Sequence, residues 1–292
     1  MDKIQSNSTQ GWINGFIGVL IFSGSLPATR MAVMDFDPTF LTVARATIAG
    51  LLALSLLILL KEKRPDKTHL VPLLIISMGV VVGFPLLTAF ALQTITSAHS
   101  LVFLALLPLS TAIFGVIRGQ EKPQKIFWVF SITGSLLIMA FALSEGSQAN
   151  LTGDLLMVAA IIVCGLGYAE GAKLSKTLGG WQVICWALVL SLPLMLLLMI
   201  FNMPHNLDNV RLPAWLSLFY VSLFSMLIGF IFWYRGLAQG GIASVGQLQL
   251  LQPFFGLALA AWLLNEPVSI VMIICTIGVI ACVAGSKKFA KS

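Results

Sequence analysis

Apolar residues in this 292-residue chain come in long runs, and polar residues collect in short gaps between them. A membrane-crossing helix needs ~20 mostly apolar residues. Ten runs approach that length: 12–34, 38–60, 70–93, 97–118, 126–144, 152–174, 180–202, 213–235, 242–264 and 268–285, numbered here as spans 1 to 10. Strands of a membrane β-barrel would be ~10 residues long with alternating polarity, whereas these runs are longer and apolar all round. The pattern predicts an all-α integral membrane protein with ten transmembrane helices. Span 1 is a poor secretory signal, because it is too long, contains Arg30 and is followed by no small-residue cleavage site. The longest gap, 203–212, leaves no room for a folded domain, so the function is expected inside the membrane.

Composition sharpens this picture. The chain is 58% hydrophobic and only 10% charged, against about 25% charged residues in soluble domains. That balance excludes a soluble enzyme, and the apolar content excludes disorder. A net charge of +6 raises the question of nucleic acid, but the placement of the charges answers it. With the N-terminus in the cytoplasm, alternation puts Lys3, Lys61, Lys63, Arg64, Lys67, Arg118, Lys122, Lys125, Lys173, Lys176, Arg235, Lys287, Lys288 and Lys291 on the inner side. These are 14 of the 17 basic residues. The outer loops hold only Arg211, together with Asp35, Asp37, Glu145, Asp208 and Glu266, while Arg30 and Arg45 lie within helices. The positive-inside rule therefore predicts both termini in the cytoplasm, in the cell's inner membrane, and no nucleic-acid partner. Cys164, Cys185, Cys275 and Cys282 all fall in apolar runs without disulfide or zinc spacing, and are expected to be small core residues.

An internal repeat is the next signal. Span 4 carries Pro108…Glu121 and span 9 carries Pro253…Glu266, with the same 13-residue gap at an offset of 145. Leu92/Leu237, Ala98/Ala243 and Ile132/Ile277 match at that offset. Ten spans divide into five plus five, giving expected halves of 1–145 and 146–292. Five is odd, so the second half enters the membrane upside down. Inverted repeats with a site near the midplane are the usual plan of secondary transporters.

The residues that end these helices also resemble a known family. Gln120-Glu121-Lys122-Pro123 and Asn265-Glu266-Pro267 resemble the ends of EamA-type repeats in the drug/metabolite transporter superfamily. The run Trp233-Tyr234-Arg235-Gly236-Leu237, then Gly240-Gly241 and Gln247-Leu248-Gln249-Leu250-Leu251-Gln252-Pro253, looks like a second such repeat. Phe22-Ser23-Gly24-Ser25-Leu26-Pro27-Ala28-Thr29-Arg30 and Arg45 stand where the first repeat has its opening motif. The resemblance covers nearly the whole chain. It implies ten helices, alternating access and a central cavity lined mainly by spans 1, 3, 4, 6, 8 and 9. Spans 5 and 10 would be peripheral. The implied cargo is a small metabolite, often an amino acid, moved outwards.

Candidate site residues follow from groups that hydrocarbon does not tolerate alone. Pro27, Pro85, Pro108, Pro193 and Pro253 lie mid-span, each freeing the carbonyl four residues earlier. Pro27, Pro108 and Pro253 are candidates for hinges or a cavity rim, with packing kinks as the alternative. Gly246, Gln249, Gln252, Pro253, Gly256 and Ala260 share one face of span 9. Its amides need partners, either cargo or other helices. Ser23, Pro27 and Arg30 form a second stripe on span 1. Arg30 either meets the cargo or snorkels to Asp35 or Asp37. Glu170 occupies the inverted counterpart position on span 6, and either faces the path or pairs with Lys173. Arg45 is expected to tie helices together. Phe90, Phe103, Tyr168, Trp233 and Tyr234 are aromatic candidates, although Trp233 and Tyr234 also read as interface anchors. Gly165 and Gly167 suggest a loosened helix before Tyr168. Gly79, Gly83, Ser222, Ser225 and Gly229 read as close-packing faces.

The leading expectation is a secondary transporter for small amphipathic solutes, without cofactor or metal. Proton coupling would run through Glu170 or His99. No Walker A pattern is present, so ATP drive within the chain is not expected. Alternatives are a membrane sensor or scaffold and, more remotely, an intramembrane enzyme, for which no His/Asp/Glu cluster or Gly-x-Ser-x-Gly elbow speaks. The oligomeric state, monomer or homodimer, is left open.

Overall fold

The computed structural model describes residues 2–95, 100, 103–144, 150–204, 207–256 and 270–290. His99, Glu145, His205, Ala260, Asn265, Glu266 and Pro267 lie outside the described residues. Within them the chain is helical, with no strand. Six helices are long and apolar enough to cross a membrane, and the helices of spans 4 and 5 are shorter apolar ones. Large apolar side chains such as Leu59, Ile162, Leu197 and Leu216 face outwards, as a lipid-facing surface requires.

Helix ends follow local chemistry. Span 2 is Pro38–Leu59, opened by the Asp37 carboxylate, which accepts from the Thr39 and Phe40 N–H groups at 2.8 and 3.2 Å. An acidic cap followed by proline at the first helical position is a strong start signal. Span 6 is one unbroken helix, Leu151–Ser175, capped by Asn150. The expected loosening before Tyr168 is therefore absent. Gly165 and Gly167 serve close packing instead, against Ser110 and Val80. Span 7 is Gly180–Phe201, span 5 is Lys125–Ser144 and span 10 is Ile270–Phe289.

The remaining five spans are interrupted. Span 1 runs Asp2–Ser23, turns at Gly24 and resumes over Ser25–Ala32. Span 3 is Leu70–Ile76, a π-helical stretch Ser77–Gly83, then Phe84–Thr94. Span 8 is built alike, as Leu212–Tyr220, a π-helical Val221–Ile228 and Gly229–Gly240. Span 4 breaks at 105–106 before Leu107–Ile117. Span 9 runs Ile242–Gly246, tightens to a 3-10 turn over Gln247–Leu251, and returns to α-helix by Gln252.

Packing relates the two halves by exchange. Span 2 packs on span 7, span 4 on span 9 and span 5 on span 10, while span 1 packs on span 8 and span 3 on span 6. Each pairing maps onto itself or onto another when the halves are swapped. The span 1–span 8 seam is antiparallel, with Gly11 on Gly240, Gly15 on Gly236 and Gly18 on Trp233. A Cβ on Gly11 would stand 2.5 Å from the Gly240 nitrogen, and one on Gly236 would stand 2.6 Å from the Gly15 nitrogen. The two backbones touch there, which only glycine permits. Gly153 against Thr94 and Gly167 against Gly79 form the related seam between spans 6 and 3.

Candidate functional site: a central cavity between the repeats

All five interruptions border one cavity. Its walls include Ser25 and Leu26 beyond the Gly24 turn, Val80 and Ser225 from the π-helical stretches, Leu104 and Leu107 astride the span 4 break, and Gln252 after the 3-10 turn. Pro85 and Phe84 from span 3, and Thr29, Thr88, Arg45, Tyr168, Phe22 and Phe230, complete it. Irregular backbone is tolerated at membrane depth only inside protein or beside a polar cavity. Specific contacts absorb the loosened groups. The Tyr220 hydroxyl donates to the Ile21 carbonyl at 2.5 Å, entering a space that a Cβ on Gly24 would fill. Gln252 Nε2 donates to the Phe22 carbonyl at 3.2 Å.

The cavity is tight. About 30 Å³ is open to the centre of a water-sized sphere, room for roughly two waters. Anything larger than a few waters would fit only if the surrounding helices parted. Aromatic rings form part of its wall and continue behind it to Trp233. Tyr168 stands 5.4 Å from Trp233 and 5.9 Å from Phe230, and Phe22 stands 5.0 Å from Phe230.

Tyr168 and Gln252 are the two predicted binding residues that line the cavity. Ser23 lies behind the wall, its hydroxyl donating to the Val19 carbonyl at 2.7 Å. Gln249 is buried, its side-chain amide set against the Tyr168 side chain. Phe90 is on the lipid-facing surface, and Phe103 packs on Ala91, Ile95 and Met157. Trp233 and Tyr234 are completely buried rather than interface anchors, because span 8 continues to Gly240 and places them well inside. The Tyr234 hydroxyl donates to the Gly167 carbonyl at 3.2 Å. Of the three prolines, Pro108 and Pro253 are buried directly after the breaks of spans 4 and 9, whereas Pro27 is exposed.

The charges sit differently from expectation. Arg30 donates to the Leu92 carbonyl at the end of span 3 rather than to Asp35 or Asp37. Asp37 is occupied as a cap, and Asp35 is taken by Arg211, whose Nε and Nη2 reach it at 3.0 and 2.6 Å. That pairing holds the Asp35 carboxyl below its ordinary pKa. Glu170 is buried and pairs with Arg118 of span 4, not with Lys173. Lys173 is three residues away on the same helix, but the Glu170 side chain turns inward towards span 4.

Two features escaped the sequence reading. Glu121 at the end of span 4 accepts from the Ile242 and Ala243 N–H groups at 2.6 and 2.7 Å, capping span 9 from outside. Gly241, at φ +95°, turns those donors towards it. Arg45 is buried in the cavity wall and donates to the Val221 carbonyl at 3.3 Å and the Ser225 hydroxyl at 3.4 Å. It does tie span 2 to span 8, yet it also places span 2 among the cavity-lining helices. Among the described residues no three His, Cys, Asp or Glu side chains cluster as a metal site.

Comparison with known proteins agrees with this architecture. The EamA-like transporter family matches twice, over residues 9–143 and 151–286. The uncharacterized transporter YdeK of Bacillus subtilis (strain 168) is 64% identical over 286 residues, covering 98% of this chain and 100% of its own. An uncharacterized transporter of Archaeoglobus fulgidus is 23% identical, with 85% of this chain and 87% of its own covered. A solved crystal structure superposes with a TM-score of 0.78 at 17% identity, covering 94% of this chain and 97% of its own, which shows a shared fold. Two family matches spanning the chain, a multi-pass helical bundle and relatives named as transporters lead to one conclusion: this protein belongs to the EamA-like transporter family.

Proposed function

We propose that this membrane protein exports small amphipathic metabolites, amino acids or related solutes, by alternating access through the central cavity. The observation that carries the proposal is the convergence of five interrupted helices, drawn from both repeats, on one cavity with polar and aromatic walls. Broken helices around a midplane site are a recurring feature of secondary transporters. Seams between exchange-related spans supply surfaces that can part on either side in turn.

In this reading the basic loops and both termini lie in the cytoplasm. The Arg118–Glu170 pair and the Glu121 cap close the cytoplasmic side. Protonation of Glu170 would remove its charge from Arg118 and loosen that closure, which gives a route for proton coupling. The cell's inner membrane is the natural location, and the cargo and the bilayer are the expected partners.

Purified protein in liposomes, loaded with unlabelled amino acids and tested for counterflow of their labelled forms, checks the activity. Metabolite profiles of spent medium from overproducing cells check the direction. Absence of exchange across the panel, with no solute enriched in the medium, would overturn the reading. Reporter fusions at Ser292 and within 203–212 test the orientation.

A further inference from the structure

We infer that Arg45 is the anion-binding element of the cavity, so that the cargo is recognised by a carboxylate and its amine is dispensable. This rests on the transport reading above and specifies its substrate class. The Arg45 side chain is 94% buried, given a relative exposure of 6%. Among the described residues no carboxylate pairs with it. Its two hydrogen bonds, to the Val221 carbonyl at 3.3 Å and the Ser225 hydroxyl at 3.4 Å, are long and both made by Nη2. Nε has no partner.

A buried guanidinium is a fixed charge with five donors in a planar fork. Left without an anion it is costly in low dielectric. A carboxylate entering the cavity would meet it in two-pronged fashion, which is the geometry the fork favours. The Val221 carbonyl belongs to the π-helical stretch of span 8, so Arg45 reads the segment most ready to change its hydrogen bonding. Ser25, Thr29 and Thr88 supply neutral hydroxyl groups nearby, and Ser25 donates to Ser225 at 2.8 Å. Among the described residues, no Asp or Glu lines the cavity. A cargo amine would find no opposite charge there. Phe22, Phe84, Tyr168 and Phe230 offer an apolar surface for the rest of the molecule. The preferred solute is a small organic acid with an apolar body.

Two sets of near-isosteric solutes separate the charges. One is L-leucine, 4-methylpentanoate and 3-methylbutylamine; the other is L-phenylalanine, 3-phenylpropionate and 2-phenylethylamine. Melting of the full-length protein in lipid nanodiscs is followed by tryptophan fluorescence at neutral pH as each solute is titrated. The acids are expected to raise the melting temperature at least as well as the amino acids, and the amines to leave it unchanged. Arg45→Gln should weaken acid binding by roughly tenfold or more, and Ser225→Ala by less. Stabilisation by the amines equal to that by the acids overturns the inference, as does failure of all six solutes to bind the wild-type protein. Unchanged acid affinity in a folded Arg45→Gln variant also overturns it. If that variant does not fold, the wild-type charge series decides. Counterflow with the same labelled solutes distinguishes the two readings. Exchange of amines alone would keep transport and remove the Arg45 assignment, whereas acid binding without any exchange would keep the assignment and remove transport.

Discussion

The two ends of the bundle are closed by different means. At the end that carries the basic loops, backbone meets backbone along Gly11, Gly240, Gly15 and Gly236. Glu121 bridges span 4 to the start of span 9, and Arg118 holds Glu170 across spans 4 and 6. Lys287 lies 4.3 Å from the centre of the Trp12 ring, drawing span 10 to span 1. At the opposite end Gly153 packs on Thr94 and Ile95, Arg30 holds the Leu92 carbonyl and Phe36 packs on Trp215, while the ion pair between the loops is the Asp35–Arg211 bridge, whose arginine is 60% exposed. Water and salt screen that bridge, so it contributes little to closure. The cavity lies on the side of this second end, since Thr29, Thr88 and Leu104 come from the halves of their spans that lead there. Both ends are packed, but the buried carboxylate contacts of Glu121 and Glu170 stand at the basic end and only a surface ion pair joins the loops at the other, so the second should open first.

The sharpest way to break this comparison is Gly236→Leu. Its side chain would collide with the Gly15 backbone, and overpacking of this kind costs about 1–3 kcal/mol or more. The outcome expected is loss of monodisperse protein on size-exclusion chromatography, while substitution of lipid-facing Leu216 to Ala leaves the profile intact.

Arg118→Ala should come next. It strands the buried Glu170 charge, and removing one partner of a buried pair costs ~3–5 kcal/mol when both are enclosed. Arg118 is 42% exposed, so a smaller loss, about 1–3 kcal/mol, is expected. Adding Glu170→Gln should restore most of the lost melting temperature. A double variant no more stable than Arg118→Ala would show that the pair does not hold this end.

Glu121→Ala removes a cap from two N–H groups, worth ~1 kcal/mol. The more telling readout is accessibility. A cysteine introduced at Thr88 should react with a membrane-impermeant reagent from the end opposite the basic loops. In Glu121→Ala, a cysteine at Ser244 should become more reactive from the basic end. Equal labelling with and without Glu121 would show that this carboxylate is no latch.

Asp35→Asn should have the smallest effect, one that fades with salt. Because pairing lowers the Asp35 pKa, the bridge is fully present above the ordinary carboxylate value of 3.8 and is lost only as pH falls through the lower folded value. Melting between pH 5 and 8 should therefore show a contribution from this pair that does not change with pH. A pH-dependent difference between wild type and Asp35→Asn in that range would contradict it.

Much of the fold was legible because hydrocarbon imposes a simple code. The expected limits 38–60, 152–174 and 180–202 lie within one residue of Pro38–Leu59, Leu151–Ser175 and Gly180–Phe201. The site was much less legible. Tyr168 and Gln252 were found from residue type and face, but Ser225 looked like a packing position, Val80 was one apolar residue among many, and Arg45 looked like a tie between helices. Their role depends on π-helical stretches at matching places in spans 3 and 8, which apolar sequence does not announce.

The sequence by itself determined that the chain is an apolar helical bundle of two repeats, because long apolar runs can satisfy their backbone in lipid only as helices. It also determined which ends carry the positive charge. Only the tertiary structure decided which charges meet. Arg30 is sixty-two residues from the carbonyl it binds, Arg118 fifty-two from Glu170 and Asp35 one hundred and seventy-six from Arg211. Neighbours such as Lys173 and Asp37 lost to these partners because side-chain direction and helix packing, not separation along the chain, determine which opposite charges come within reach.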